Sequence, residues 1–208
     1  MGNYIWLLPK SHPDAITWAT LIAKHKAFRL HSLITSPESF SSTYERESAF
    51  HDSVWEGRLS NPSAYTYVAM ANLKQRPCAD SIPSSGSELG HVLEGEWVGS
   101  AVLVGPTTRE SQEEHGDDKV FDVCGLFVLP AARGAGLGSE LMQACTEHAR
   151  RMASTMGTEK VRVRVCTACG NEKVVKLYQK LGFVEEAEKQ AEAEVGPGVK
   201  TLVKEMDA

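Results

Sequence analysis

The stretch VFDVCGLFVLPAARGAGLGSELM, residues 120–142, decides the reading of this chain. Phe121 to Leu129 is an apolar run of strand length. Pro130 closes it, because proline has no N–H to give to a ladder. Arg133-Gly134-Ala135-Gly136-Leu137-Gly138 follows, and then a helical pattern begins. A strand, a glycine-rich turn and a helix start together aim free backbone N–H groups at an anion. Glycines at 134, 136 and 138 remove side chains that would keep a diphosphate away from the backbone. The helix dipole favours an anion there by about 0.3–1 kcal/mol, and Arg133 can add a charge-assisted bond. The competing reading is a tight strand–helix turn without a ligand.

Two familiar glycine loops fail on counting. A nucleotide phosphate loop needs Gly-Lys-Ser/Thr, and no lysine follows these glycines. A dinucleotide fingerprint counted from Gly134 and Gly136 would need a third glycine where Ser139 stands. No acidic residue ends a strand about 20 residues on.

Working outward, residues 4–9 read as a first strand. Ser11-His12-Pro13-Asp14 reads as a helix start with Ser11 as cap, and the apolar spacing carries that helix to about Phe28. Ser36-Pro37-Glu38 opens a second helix that places Phe40 and Tyr44 on one face. Phe50 to Pro62 forms a third. Residues 65–70 are β-branched and aromatic, so they read as a strand. Residues 74–90, with two prolines and several serines, read as a loop. Residues 97–104 form the next strand, expected to pair with the one before it. The polar stretch 107–119 carries five acidic residues and reads as a solvated loop or as an acidic lip beside a substrate. Leu137, Leu141, Cys145, Ala149 and Met152 form the buried stripe of a helix. Residues 160–165 alternate as a half-buried strand, Asn171 caps a last helix that stops at Gly182, and 201–206 form a final strand. The charged stretch 185–194 reads as a loop or short helix.

Composition bounds the rest. The 208 residues suit one domain, expected over 1–208. The 22 basic and 27 acidic residues leave a net charge of −5, which speaks against nucleic acid and anionic membranes as partners. Five cysteines, at 78, 124, 145, 166 and 169, read as reduced thiols, which points to the cytoplasm or nucleus. Cys166 and Cys169 lack a second ligand pair, so no metal site is expected. No apolar run reaches the ~20 residues of a membrane span. The N-terminus has no basic region before its apolar run, and Trp6 stands where myristoylation wants Ser or Thr.

A second motif lies at residues 171–183, NEKVVKLYQKLGF. Read alone, it is a capped helix with one core aromatic, Tyr178, on the side of Val174 and Leu181. Together, R-x-x-G-x-G after Leu-Pro, and Asn171 followed by Leu177-Tyr178-Gln179-Lys180-Leu181-Gly182-Phe183, resemble the two signatures of the GNAT superfamily of N-acetyltransferases. The resemblance covers residues 96–206 well and the first 70 loosely.

The resemblance implies a mixed α/β fold. Its mostly antiparallel twisted sheet would have six or seven strands, with helices on its faces and splayed central strands that bind coenzyme A. It implies acetyl-CoA as cosubstrate and no metal. The backbone of Leu126, Phe127 and Val128 would hold the pantetheine arm. Arg133, Gly134, Ala135, Gly136, Leu137, Gly138 and Ser139 would hold the pyrophosphate, and Asn171 and Tyr178 would lie along the arm. The implied reaction is direct amine attack on the thioester, with the Val128 N–H at the developing oxyanion. Tyr178 would be the general acid, since tyrosine titrates near 10 and a thiol near 8.5. Asp122, on the same strand face as Cys124, is the candidate base. Helices within 11–62 would shape the site of the acceptor, a small-molecule or peptide amine, in a monomer or homodimer. The alternative is a catalytically inactive coenzyme A-binding sensor or interaction module of the same fold.

Overall fold

The computed structural model describes residues 4–71, 86–107, 119–168, 170–186 and 199–208. Cys78, Cys169, the acidic stretch at 108–118 and the charged residues 187–194 therefore lie outside the described residues. The elements run β1 (Tyr4–Leu7), α1 (Ala15–Thr35), a 3-10 turn (Pro37–Ser39), α2 (Tyr44–Ser48), α3 (Asp52–Ser60) and β2 (Ala64–Met70). There follow α4 (Gly86–Glu94), β3 (Trp97–Thr107), β4 (Lys119–Val128), a second 3-10 turn (Pro130–Ala132) and α5 (Leu137–Thr155). The chain ends with β5 (Lys160–Ala168), α6 (Glu172–Lys180), β6 (Val184–Glu185) and β7 (Val199–Asp207). The seven strands form one sheet in the order β1-β2-β3-β4-β5-β7-β6. A mixed, mostly antiparallel sheet with helices is what the resemblance implied.

Contacts divide the chain into two compact units. The first holds residues 1–102 and 125–141. In it β1 pairs antiparallel with β2, from Tyr4↔Met70 to Leu7↔Tyr67. Its core gathers Trp6, Leu8, Leu21, Leu59, Val68, Met70, Leu89, Val92 and Trp97. The Trp97 indole N–H donates to the Val92 carbonyl at 2.8 Å, which satisfies the one polar atom that ring buries.

The second unit holds residues 103–124 and 142–208. Here β4 runs parallel to β5 from Lys119↔Val161 to Val123↔Val165. The ladder stops there, although both strands continue. β7 pairs antiparallel with β5 along its length and with β6 at its far edge. Phe121, Val163, Val165, Phe183 and Leu202 fill the core.

Several boundaries differ from the expectation. Asp14, not Ser11, caps α1, accepting from the Thr17 N–H at 2.8 Å. The helix continues past Phe28 to Thr35, where Ser36 ends it. Ser36-Pro37-Glu38 starts only one 3-10 turn. Phe40 is extended, and Thr43 caps a separate α2, so Phe40 and Tyr44 share no helix. Residues 86–90, the end of the stretch read as a loop, belong to α4, which buries Leu89 and Val92 in the core. Two glycines hid that helix, because each lowers helix propensity by about 1 kcal/mol. The α5 stripe ends on Ala153 rather than Met152.

Candidate active site

In the first unit, the loop from Arg133 into α5 is bare. Gly134 and Gly136 sit at φ +86° and +85°, a region that costs other L-residues about 1–2 kcal/mol. A Cβ on Gly134 would meet nothing within 4 Å, and one on Gly136 only the Glu140 carboxylate at 3.8 Å. The Ser139 and Glu140 N–H groups close onto the Gly136 carbonyl. The N–H groups of Gly134, Gly136, Leu137 and Gly138 have no partner among the described residues. Four donors at a helix start, with no side chain above them, form a cradle for an anion.

Arg133 does not hang free beside this cradle. Its Nε donates to the Val128 carbonyl at 2.9 Å and its Nη2 to the Ser36 hydroxyl at 3.1 Å. Ser36 is buried, so a residue read only as a helix start instead anchors the loop arginine. Two of five guanidinium donors are thus spent on position and the rest remain. The Leu129 N–H donates to the Val98 carbonyl at 2.8 Å, which joins the end of β4 to β3. Phe127 is buried among Phe28 and Phe40, with ring centroids 6.0 and 5.9 Å away.

Beside these rings lies a group that the sequence did not single out. Glu47, on α2, is 1% exposed. It accepts from Arg29 Nε at 3.2 Å and Nη2 at 2.8 Å, and from Arg58 Nη1 at 2.7 Å. Burial alone would raise its pKa; the hydrogen bonds from Arg29 and Arg58 outweigh that and bring it down to about 2. Next to it, His25 is buried edge-on to Trp55, 6.1 Å between centroids. Burial, reinforced by Arg58 and Arg29, takes its pKa down to about 4.

In the second unit, Tyr178 lies on the buried side of α6 with Val175, one step round from the Val174 that helical spacing suggested. It packs against Phe183 at 5.9 Å. Burial, then the neighbouring Cys166 and Cys124, push its pKa up, so the phenol stays protonated. Its hydroxyl has no hydrogen-bond partner among the described residues. Asn171 precedes α6 as expected, but its side chain makes no capping bond. Asp122 faces its register partner Arg164 across the β4–β5 ladder. Both carboxylate oxygens accept from that guanidinium, at 2.6 and 3.0 Å. Cys124, Cys145 and Cys166 are free thiols, and burial raises that of Cys145. No group of side chains among the described residues could hold a metal ion. No described helix is long and apolar enough to cross a membrane.

Known proteins can be set beside this geometry. The model of the acetyltransferase (GNAT) family matches residues 36–183. No curated protein matches the chain. Among solved structures, the fold resembles an aminoglycoside acetyltransferase, HMB0005, from an uncultured soil metagenomic sample, with a TM-score of 0.57 at 16% identity over 90% of this chain and 95% of that one. It also resembles a GNAT-family acetyltransferase from Streptococcus pneumoniae, with a TM-score of 0.55 at 17% identity over all of both chains. Arabidopsis thaliana NAA60, in complex with a bisubstrate analogue, gives a TM-score of 0.52 at 12% identity over 98% of this chain and 97% of that one. At such identities the structures speak for the fold, and the family match speaks for descent: the chain belongs to the GNAT family of acetyltransferases.

Proposed function

We propose that this protein is an N-acetyltransferase that transfers acetyl from acetyl-CoA to an amine. The observation that carries the reading is the cradle at 133–139, where four N–H groups without partners face open space at a helix start. Its residues fit a pyrophosphate, which needs several donors, a positive local field and no side chain in the way. When bound, acetyl-CoA supplies a thioester carbonyl that an amine can attack.

The chain's own groups then take these roles. The N–H groups of Gly134, Gly136, Leu137 and Gly138 bind the pyrophosphate, with Ala135 and Ser139 completing the loop. Arg133, held by Ser36 and Val128, turns its remaining donors to the same charge. The backbone of Leu126, Phe127 and Val128 takes the pantetheine arm as a strand would. Asn171, free of a capping role, bonds the arm from α6. Tyr178 gives its proton to the departing sulfur as the C–S bond breaks, and the proton that the attacking amine loses restores the phenol. Asp122 is assigned to holding Arg164. Both of its carboxylate oxygens are taken up by that guanidinium.

Calorimetric titration of the protein with acetyl-CoA, and with coenzyme A beside it, tests the reading. One-to-one binding is expected, followed by thiol release with amine acceptors. Absence of binding overturns it. Binding without turnover on any amine would instead identify a coenzyme A-binding module without catalysis.

A further inference from the structure

The acetyltransferase reading leaves the acceptor open, and the first unit carries a feature that narrows it. Arg29 lies on α1 with its side chain 21% exposed, reachable from solvent yet largely covered. A guanidinium has five N–H donors. Arg29 spends the Nε donor and one Nη2 donor on Glu47. Its guanidinium carbon lies over the Phe40 ring, 4.4 Å from the centroid, which with the Glu47 bonds fixes the direction of the other end. That end, Nη1 with the second Nη2 hydrogen, has no partner among the described residues.

The free end looks at a break in β4. Gly125 sits mid-strand at φ +62°. A Cβ placed on it would meet Arg29 Nη1 at 3.9 Å and nothing else within 4 Å. A Cβ there would touch Nη1 at ordinary van der Waals distance, so the bare Gly125 leaves that edge of the guanidinium uncovered, beside Phe40 and Phe127. Gly125 immediately precedes Leu126, the start of the segment assigned above to the pantetheine arm. The local charge is positive, since Glu47 is a single carboxylate shared by two guanidiniums, Arg29 and Arg58.

Building on the acetyltransferase reading, we propose that the free edge of Arg29 binds a carboxylate of the acceptor, so that the acceptor is an amino acid or a similar small amine bearing a carboxylate. Two parallel N–H groups match the two oxygens of a carboxylate. The same charge disfavours polycationic acceptors such as polyamines, although the chain as a whole is acidic.

The test titrates the intact protein with N-acetylglycine, N-acetylleucine and N-acetylphenylalanine, and with the carboxamide of each, by calorimetry. At least one acid should bind about tenfold more tightly than its carboxamide, as a charge-assisted pair requires. Arg29→Met should erase that ratio. Because it also strips a partner from Glu47, Arg29→Lys is measured beside it; lysine keeps a charge near Glu47 but has no fork, and the ratio should fall several-fold in a folded protein. Equal binding of acids and carboxamides, or binding of neither, overturns the proposal. So does an acid preference that survives in a folded Arg29→Met. Acetyl-CoA titrated into the same samples separates the two claims. Binding of acetyl-CoA without an acid preference sinks only the Arg29 assignment. An acid preference without acetyl-CoA binding sinks the acetyltransferase reading and leaves Arg29 as a carboxylate site.

Discussion

Two charged places in the first unit are built in opposite ways. The loop at 133–139 is almost all backbone: four of its N–H groups have no partner among the described residues, and Gly134 and Gly136 leave it nearly bare. The Glu47 cluster is almost all side chain: the anion is already there, buried, and two guanidiniums hold it. The first place contributes little to folding and is free to bind. The second has spent its charge on folding, apart from the one edge of Arg29. Mutations should therefore separate ligand affinity at the loop from stability at the cluster.

The largest effect is expected from Gly136→Glu. It forces a side chain into a left-handed position at φ +85° and adds a second carboxylate near Glu140, where the diphosphate would lie. The added carboxylate in the diphosphate's place should cost acetyl-CoA at least ~1000-fold in affinity, while the strain of about 1–2 kcal/mol falls on stability. The unfolding midpoint should move only by the strain. Calorimetry and a denaturant melt on one sample decide this. A large loss of stability with affinity intact would reverse the roles drawn above.

Glu47→Ala is the converse change. It leaves two guanidiniums close together without the carboxylate between them. Removing one member of a buried ion pair costs about 3–5 kcal/mol. Here the arginines reach water, at 21% and 36% exposure, so about 3 kcal/mol is expected, read from urea unfolding. The loop should keep its acetyl-CoA affinity in the folded fraction. An unfolding free energy within 1 kcal/mol of the wild type, about the worth of a surface pair, would show that the cluster does not carry the fold.

This contrast also explains what could be read from the sequence. The loop's shape is local: residues 133–138 set their own backbone, and closely spaced glycines announce it. The helix that follows Asn171 and carries Tyr178 was legible because its spacing is local. The Arg29–Glu47–Arg58 group was not, since it joins α1, α2 and α3 over 29 residues, and no spacing rule pairs an arginine with a carboxylate 18 positions away. The Asp122–Arg164 pair was hidden similarly, because β4–β5 register depends on a crossover through α5. Helix α4 was missed for a local reason, its two glycines, while the burial of Leu89 and Val92 outweighs that penalty.

Tyr178→Phe probes the second unit against both. Phenylalanine keeps the packing on Phe183 and removes only the hydroxyl, so stability should hold. Turnover should fall about 100-fold, near 2.7 kcal/mol, with acetyl-CoA affinity unchanged. Unchanged turnover would remove Tyr178 from proton donation.

The smallest effect is the most specific to the cluster. His25 is neutral in the folded protein because its pKa falls from 6.5 to about 4, and burial is the first cause. Its Nδ1 has no partner among the described residues. Above pH 6.5 both folded and unfolded forms are neutral, and nothing depends on pH through this group. Below it the unfolded chain takes a proton that the folded one refuses, so stability falls with pH until about 4. From pH 7.5 to 5.5 the loss is about 1.3 kcal/mol. Glu47 adds almost nothing in that window. Its folded pKa, about 2, and its ordinary value, 4.5, both lie lower, so its stabilisation is lost only as pH falls below about 4.5. His25→Leu removes the titrating ring and its unsatisfied nitrogen. The difference in unfolding free energy between wild type and variant should therefore shift by about 1.3 kcal/mol in favour of the variant between those two pH values. A difference that stays constant would mean that His25 takes up its proton without leaving the fold, and that the cluster is open to water in a way the loop, not the core, was argued to be.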